Sequence, residues 1–377
     1  MTLHSLALAV PAVLALGLVP ARAAEAPKPA RPVVQIALLL DTSNSMDGLI
    51  DQARAQLWRV VNEFATAKRD GVRPDLRIAL YEYGNNRLGE ETHWIRLVTP
   101  LTDDLDLVSE RLFALTTNGG NEYCGAVIGR AVDELAWSGS PDGLKLVFIA
   151  GNEPFTQGPI DFRKSVKRAA EKGIAVHTIH CGSAAEGIAT GWRDGALLAD
   201  GAYLAIDQNR VAADVPAPQD AELARLNERL NATYVAYGAQ GKVMRQRQVV
   251  QDANAKKTSA GSLASRAGSK ASGLYNNAGW DLVDATRDGI VKVEALDAAD
   301  LPEELRTLTP AERKAYVEKK GKERAEVQKK IAELTQARAA FLAQARAKQA
   351  QASTDTLDSA MIKAVRAQAA KHRYTLE

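Results

Sequence analysis

The sequence predicts an α/β fold, a doubly wound, mainly parallel six-stranded sheet followed by an α-helical carboxy-terminal extension. Three observations carry the prediction. Short continuous apolar runs at 33–40, 144–151 and 173–182 suit strands covered on both faces. Segments of helical periodicity separate them, which is the alternation of a parallel sheet built from crossover units. Beyond residue 237 the β-branched runs stop and Lys, Arg, Ala, Gln and Glu become frequent, the composition of helices.

Each element follows in order. Residues 1–24 contain LALAVPAVLALGLVP, an apolar stretch too short and too broken by proline to span a bilayer. Ala21-Arg22-Ala23 then supplies the small-x-small pattern of a signal-peptidase site, so 1–24 is expected to be a secretory signal. EAPKPARP at 25–32 is a Pro- and Ala-rich linker. VVQIALLL at 33–40 is the first strand, and Asp47 to Arg69 places Leu49, Ile50, Ala53, Leu57, Val60, Val61 and Phe64 at helical spacing. Residues 76–84 and 92–99 flank a polar turn and read as an antiparallel pair. Helices at 103–115 and 123–137, a strand at 144–151, a helix at 160–172 and a strand at 173–182 continue the alternation. A further helix, a short strand from Gly201 to Asp207 and an amphipathic helix at 219–232 complete a first domain spanning 33–237.

A helical and irregular stretch, 238–300, leads to a long-helix region, 301–377. Thr309-Pro310-Ala311-Glu312 is a capping box with Pro at the first helical position. Val327, Ile331, Leu334, Phe341 and Ala345 follow a four-three spacing interrupted by Arg338, a weakly encoded coiled coil. Gly321 lowers helix preference and is a candidate bend. Between Pro310 and Ala350, 11 basic residues stand against 5 acidic ones. A solvated helix face is the expected use; a patch for anionic envelope polymers or lipid head groups is the alternative. Over the whole chain, 48 basic and 46 acidic residues leave a formal charge of +2, which excludes a global field for nucleic acid.

Export changes how the 2 cysteines are read, because thiols tend to pair in an oxidising compartment. A Cys124–Cys181 disulfide is expected, with free buried thiols or a soft-metal site shared with His177 and His180 as the alternatives. On a strand, His177 and Cys181 share one face and His180 points to the other, which argues against the metal site.

The segment that carries chemistry is Asp41-Thr42-Ser43-Asn44-Ser45, between a buried strand and a helix. Ligands of open parallel sheets bind beyond the carboxyl ends of the strands. One carboxylate and two hydroxyls on alternate positions of a tight loop can turn toward one point, offering oxygen ligands to a hard cation: Mg²⁺, or Mn²⁺ or Ca²⁺ in its place. Few protein charges keep such an ion electrophilic, so that a carboxylate from another molecule can complete its shell.

This loop and its element order resemble the metal-ion-dependent adhesion site of von Willebrand factor A domains, over residues 32–237. The resemblance implies further ligands from two loops, a Thr and an Asp. By position the Thr falls on Asn121 and the Asp on Gly151, so the site departs from the family pattern. Asn121, Glu122 and Glu153 are the expected replacements; the alternative for each Glu is a helix cap. The GNEPFT segment at 151–156, QDANA at 251–255 and YNNAGWDLVD at 275–284 resemble exported bacterial A-domain proteins with a helical tail. Trp280 is expected to pack the tail onto the domain, and Asp252 and Asp284 to be surface or capping groups.

No Gly-x-Ser-x-Gly elbow, phosphate loop, His-Glu-x-x-His or dinucleotide fingerprint occurs, so no enzyme is expected. The sequence therefore points to an exported binding module, periplasmic or secreted, that holds a protein or envelope ligand at a divalent-cation site. The alternative is a structural or assembly factor acting through its helical tail with a metal-free scaffold.

Overall fold

Strand β1 (Val33–Asp41) is buried along all but its first residue, because it lies between two parallel neighbours and under helices on both faces. The computed structural model describes residues 31–209, 215–348 and 356–376; the expected signal and most of the linker lie outside them. Helix α1 (Asp47–Asn62), the two-residue strand β2 (Lys68–Arg69), β3 (Asp75–Tyr83) and β4 (Ile95–Thr102) follow. Next come α2 (Leu105–Ala114), α3 (Cys124–Glu134), β5 (Leu144–Gly151), α4 (Phe162–Glu171) and β6 (Ala175–Cys181). Two short helices, α5 (Ala184–Ala189) and α6 (Trp192–Leu197), precede β7 (Tyr203–Ile206). The sheet is six-stranded in the order β4-β3-β1-β5-β6-β7, with only β4 antiparallel. This is the doubly wound architecture that the apolar runs predicted.

Alternation along β1 divides the core. Ile36, Leu38 and Leu40 join one apolar cluster with α1, and Ala37 and Leu39 join another with α3 and α4. The first cluster continues away from the sheet into the extension, through Ala264 and Ala267 to Val327 and Ile331.

The extension consists of α7 (Asp220–Asn231), α8 (Gly241–Thr258), α9 (Ala260–Ala271), α10 (Leu282–Arg287), α11 (Glu303–Arg306), α12 (Pro310–Lys348) and α13 (Leu357–Lys371), with a last strand β8 (Tyr374–Thr375). Its interior is held by charge as well as by apolar contact. Arg266, 0% exposed, donates to Asp106 Oδ1 at 2.7 Å and to Asp252 Oδ1 at 2.5 Å, and its guanidinium lies 4.5 Å from the Trp58 ring centre. Lys270 Nζ donates to the other oxygen of Asp252 at 2.9 Å. Arg324 joins α12 to α10, donating to Asp281 Oδ2 at 2.6 Å and to Asp284 Oδ1 at 2.9 Å while lying over the ring of Tyr234. Asp252 and Asp284 are therefore buried ion-pair centres, not surface groups. Arg266 and Lys270 stand 14 and 18 residues from Asp252 and Arg324 stands 40 from Asp284, beyond the reach of local capping rules, while Arg287 pairs with Asp284 at 2.9 Å from one turn away. Trp280 is buried and stacks on Tyr234 with ring centres 5.7 Å apart.

Helix α12 runs without interruption through Gly321, whose missing side chain faces Val283 at 3.7 Å. Its apolar seam is used within the chain. Val327 and Ile331 are buried in the main core, and Arg338 breaks the spacing because its Nε donates to Asp220 Oδ1 of α7 at 2.6 Å. Four of its basic residues are used within the chain in the same way. Arg313 and Lys320 donate to backbone carbonyls, and Arg324 and Arg338 to carboxylates, while Lys314, Lys319, Lys322, Lys329 and Lys330 are exposed.

Helix α13 returns to the sheet. Leu357 N donates to Gln52 Oε1 of α1 at 2.9 Å, and Met361, Ala364 and Val365 enter the core beside α1. β8 then pairs antiparallel with β2. No helix among the described residues is long and apolar enough to cross a membrane.

Candidate metal centre

β1 delivers Asp41 to the carboxyl edge of the sheet, where the carboxylate is 0% exposed. Its Oδ1 accepts from Ser43 N at 2.8 Å, and its Oδ2, equally buried, has no hydrogen-bond partner. Ser43 Oγ lies 3.3 Å from Ser45 Oγ, and Ser45 Oγ accepts from Asn152 Nδ2 at 3.2 Å. Asn152 Oδ1 is also buried without a partner. The expected trio thus stands together, with an amide from the loop after β5 against it.

The loop before α3 is drawn in by backbone bonds. Asn118 N donates to Thr42 O at 2.9 Å, and Asn85 Nδ2 to Thr116 O at 2.8 Å. Glu122 is buried at its inner end, where its own N–H donates to Gln157 Oε1 at 2.7 Å. Gly84 makes room for it. At φ +81° this residue adopts a left-handed conformation, and a Cβ there would lie 2.8 Å from both Asp41 Oδ1 and Glu122 Cγ.

Neither glutamate caps a helix. The residue before α3 is Tyr123, which makes no side-chain cap, and α4 is capped by Asp161. Glu153 is half-buried and acts on the site through its charge, raising the pKa of both Asp41 and Glu122. Asn121 is exposed.

Gly151 explains the missing third-loop acid. A Cβ at this position would lie 2.4 Å from Tyr83 Oη and 3.0 Å from Asp41 Oδ2. The Tyr83 hydroxyl, which donates to Ala150 O at 3.0 Å, fills the space from which an aspartate would start. Tyr83, Gly84 and Gln157 shape the site although no motif singled them out, and Asn152, inside the GNEPFT segment, was not read as a site residue. Asn152 carried a signal twice over, in that segment and in its place in the loop beyond a buried strand.

The electrostatics are those of a site short of positive charge. Burial pushes Asp41 up to about 8, with the charges of Glu122 and Glu153 adding to it. Burial, then Glu153, pushes Glu122 up to about 7. Among the described residues no three His, Cys, Asp or Glu side chains converge as a metal set. The oxygens here are instead two carboxylates, two hydroxyls and an amide. An orphaned buried carboxylate oxygen among oxygen donors fits a hard divalent cation.

Cys124 and Cys181 are free buried thiols, and the expected disulfide is not formed. Cys124 packs in the cluster on the α3 side and Cys181 in the cluster on the α1 side, so the sheet separates them. The soft-metal alternative divides in the same way. His177 stacks on Phe148 at 4.8 Å and His180 faces Trp192 at 5.6 Å.

Residues 35–187 match the family model of the von Willebrand factor type A domain. No curated protein sequence matches the chain. Among solved structures, the chain is similar to the conserved hypothetical protein BatB from Bacteroides thetaiotaomicron, at 16% identity over 46% of this chain and 90% of that one, TM-score 0.36. It is also similar to the vWF domain of the type V pili tip protein Mfa5 from Porphyromonas gingivalis, at 13% identity over 47% of this chain and 90% of that one, TM-score 0.35. A third is proximal thread matrix protein 1 from the mussel byssus with a zinc-occupied MIDAS motif, at 12% identity, 48% of this chain, 43% of that one and TM-score 0.34.

Proposed function

From the premise that residues 35–187 are a von Willebrand factor type A domain, a type of module that mediates protein interactions, we propose that this chain is an exported, non-enzymatic binding protein. It acts in the periplasm or outside the cell and holds a protein or envelope ligand at a divalent-cation site. The observation that carries the reading is Asp41 Oδ2, a fully buried carboxylate oxygen without a partner beside Ser43, Ser45 and Glu122. A cation bound there supplies an electrophilic position that a partner's carboxylate can complete. The chain's own residues hold the loop in place: Thr42 N donates to Tyr83 O at 2.8 Å, and Gln208 Nε2 to Ser45 O at 2.7 Å.

Calorimetric titration of the full chain with MgCl₂, MnCl₂ and CaCl₂ tests this reading. Binding is expected in the wild type and absent in Asp41→Ala. If neither protein binds any of the ions, the reading fails, and the scaffold alternative gains, in which the tail does the work. The filling of the third-loop position by Tyr83 is the observation that favours that second reading.

A further inference from the structure

Helix α8 is amphipathic the wrong way round. Its inner face, packed on α2 and α9, buries Gln248, Gln251 and Asp252, which hydrogen-bond to Tyr275, to Ser109 and to Arg266 and Lys270. Its outer face presents Val243, Val249 and Val250, which are 57%, 44% and 42% exposed. A buried polar set and an exposed apolar stripe both depart from the usual partition of side chains. The inner departure is satisfied within the chain by its hydrogen bonds. The outer one is not, since an exposed valine loses χ1 freedom in a helix and gains no packing where Lys, Glu or Gln would serve better.

The outer face has the spacing of a seat for another helix. Val243, Gln246, Val250 and Ala253 follow alternating three- and four-residue steps, so they line one side of α8. Val249 lies beside them, with Lys242 one heptad before it and Lys256 one heptad after. These two lysines and Lys257 are exposed and make no ion pair among the described residues, and the one acid of the helix, Asp252, is buried. Lys242 stands in the first turn, where the helix dipole disfavours a cation. Arg247, by contrast, is already paired with Asp104 and Glu110 around α2.

We propose that this stripe docks an acidic amphipathic helix of another protein, with apolar side chains against Val243 and Val250 and carboxylates against Lys242 and Lys256. Valine and alanine at the contact let two helix axes approach to about 8–10 Å, and flanking charges of opposite sign set the choice of partner. Charge opposes a second copy, because antiparallel α8 helices would set Lys242 against Lys256. Composition opposes a membrane surface, because interfacial helices bury Trp, Phe or Leu and this stripe offers only Val and Ala. The surface belongs to the extension, so its use does not depend on the cation centre.

Fluorescence anisotropy of the full chain with a labelled three-heptad peptide, Leu and Ala on one face and Glu flanking them, tests the proposal. The wild type should bind this peptide about tenfold or more tightly than the same peptide with Lys in place of Glu. Val243→Glu/Val250→Glu, checked for folding by circular dichroism, should weaken the acidic peptide about tenfold or more, and Lys242→Glu/Lys256→Glu should reverse the preference between the two peptides. Equal binding of the two peptides to the wild type, or an unchanged affinity in the folded valine variant, overturns the inference. Binding to phosphatidylglycerol vesicles, or a concentration-dependent dimer in sedimentation, that is lost in the valine variant overturns it too, assigning the stripe to a membrane or to a second copy. The comparison of the two peptides on the wild type needs no variant to fold.

Discussion

Substituting Gly151 by alanine tests whether Tyr83 is what closes the third loop. The backbone at Gly151 is not left-handed, so the cost of a Cβ is one of contact alone. That Cβ would stand 2.4 Å from Tyr83 Oη, 3.0 Å from Asp41 Oδ2 and 3.1 Å from Asp41 Cβ, so at least one of these buried groups must shift. Overpacking of this kind costs about 1–3 kcal/mol. Tyr83→Phe removes the nearest atom together with the hydrogen bond to Ala150 O, at a cost of about 1 kcal/mol. Independent effects would sum to about 2–4 kcal/mol, whereas a shared steric cause predicts that Gly151→Ala costs less than about 1 kcal/mol once Phe occupies position 83. Urea unfolding of the wild type, both single variants and the double variant gives the coupling energy directly. Additivity within about 0.5 kcal/mol would refute the assignment of the missing acid to Tyr83.

Two further predictions concern stability. Burial, with Lys371 adding, pushes the His177 imidazole down to about 4, against about 6.5 unfolded, so the unfolded chain binds the extra proton and stability falls as pH drops from about 6.5 toward 4. The wild type should therefore lose about 2 kcal/mol more than His177→Leu between pH 7 and pH 4.5, and equal losses in denaturant melts would dismiss the buried neutral histidine. Arg324→Met leaves the buried Asp281 without its cation and Asp284 with only the exposed Arg287, and should cost about 3–5 kcal/mol in the same assay. A cost under 1 kcal/mol would show that the α10–α12 junction does not depend on this pairing.

The sheet was legible because its signal is local. VVQIALLL, LKLVFIAG and GIAVHTIHCG declare buried strands by composition alone, and the polar turn after Gly84 marks the antiparallel edge. Asp41, Ser43 and Ser45 could be found in the same way, being consecutive with a strand end. What escaped depends on residues distant in sequence. Nothing near Asp252 announces that Arg266 and Lys270 will neutralise it, and nothing near Gly151 announces Tyr83, which reaches it across β1 from β3. The cysteines were misjudged for a related reason. Pairing was inferred from compartment and number, whereas Cys124 packs from α3 in the core on one face of the sheet and Cys181 packs from β6 in the core on the other.

The return of α13 has a consequence for how the chain is made and cut. Leu357 bonds to Gln52 across 305 positions, so the apolar face of β1, α1 and β3 is not fully roofed until α13 is available. Stopping the chain after residue 237 is expected to expose that face to solvent instead of releasing an independent domain. Any attempt to isolate the binding region should keep α13 together with α9 and α12, whose Ala264, Ala267, Val327 and Ile331 lie in the same core.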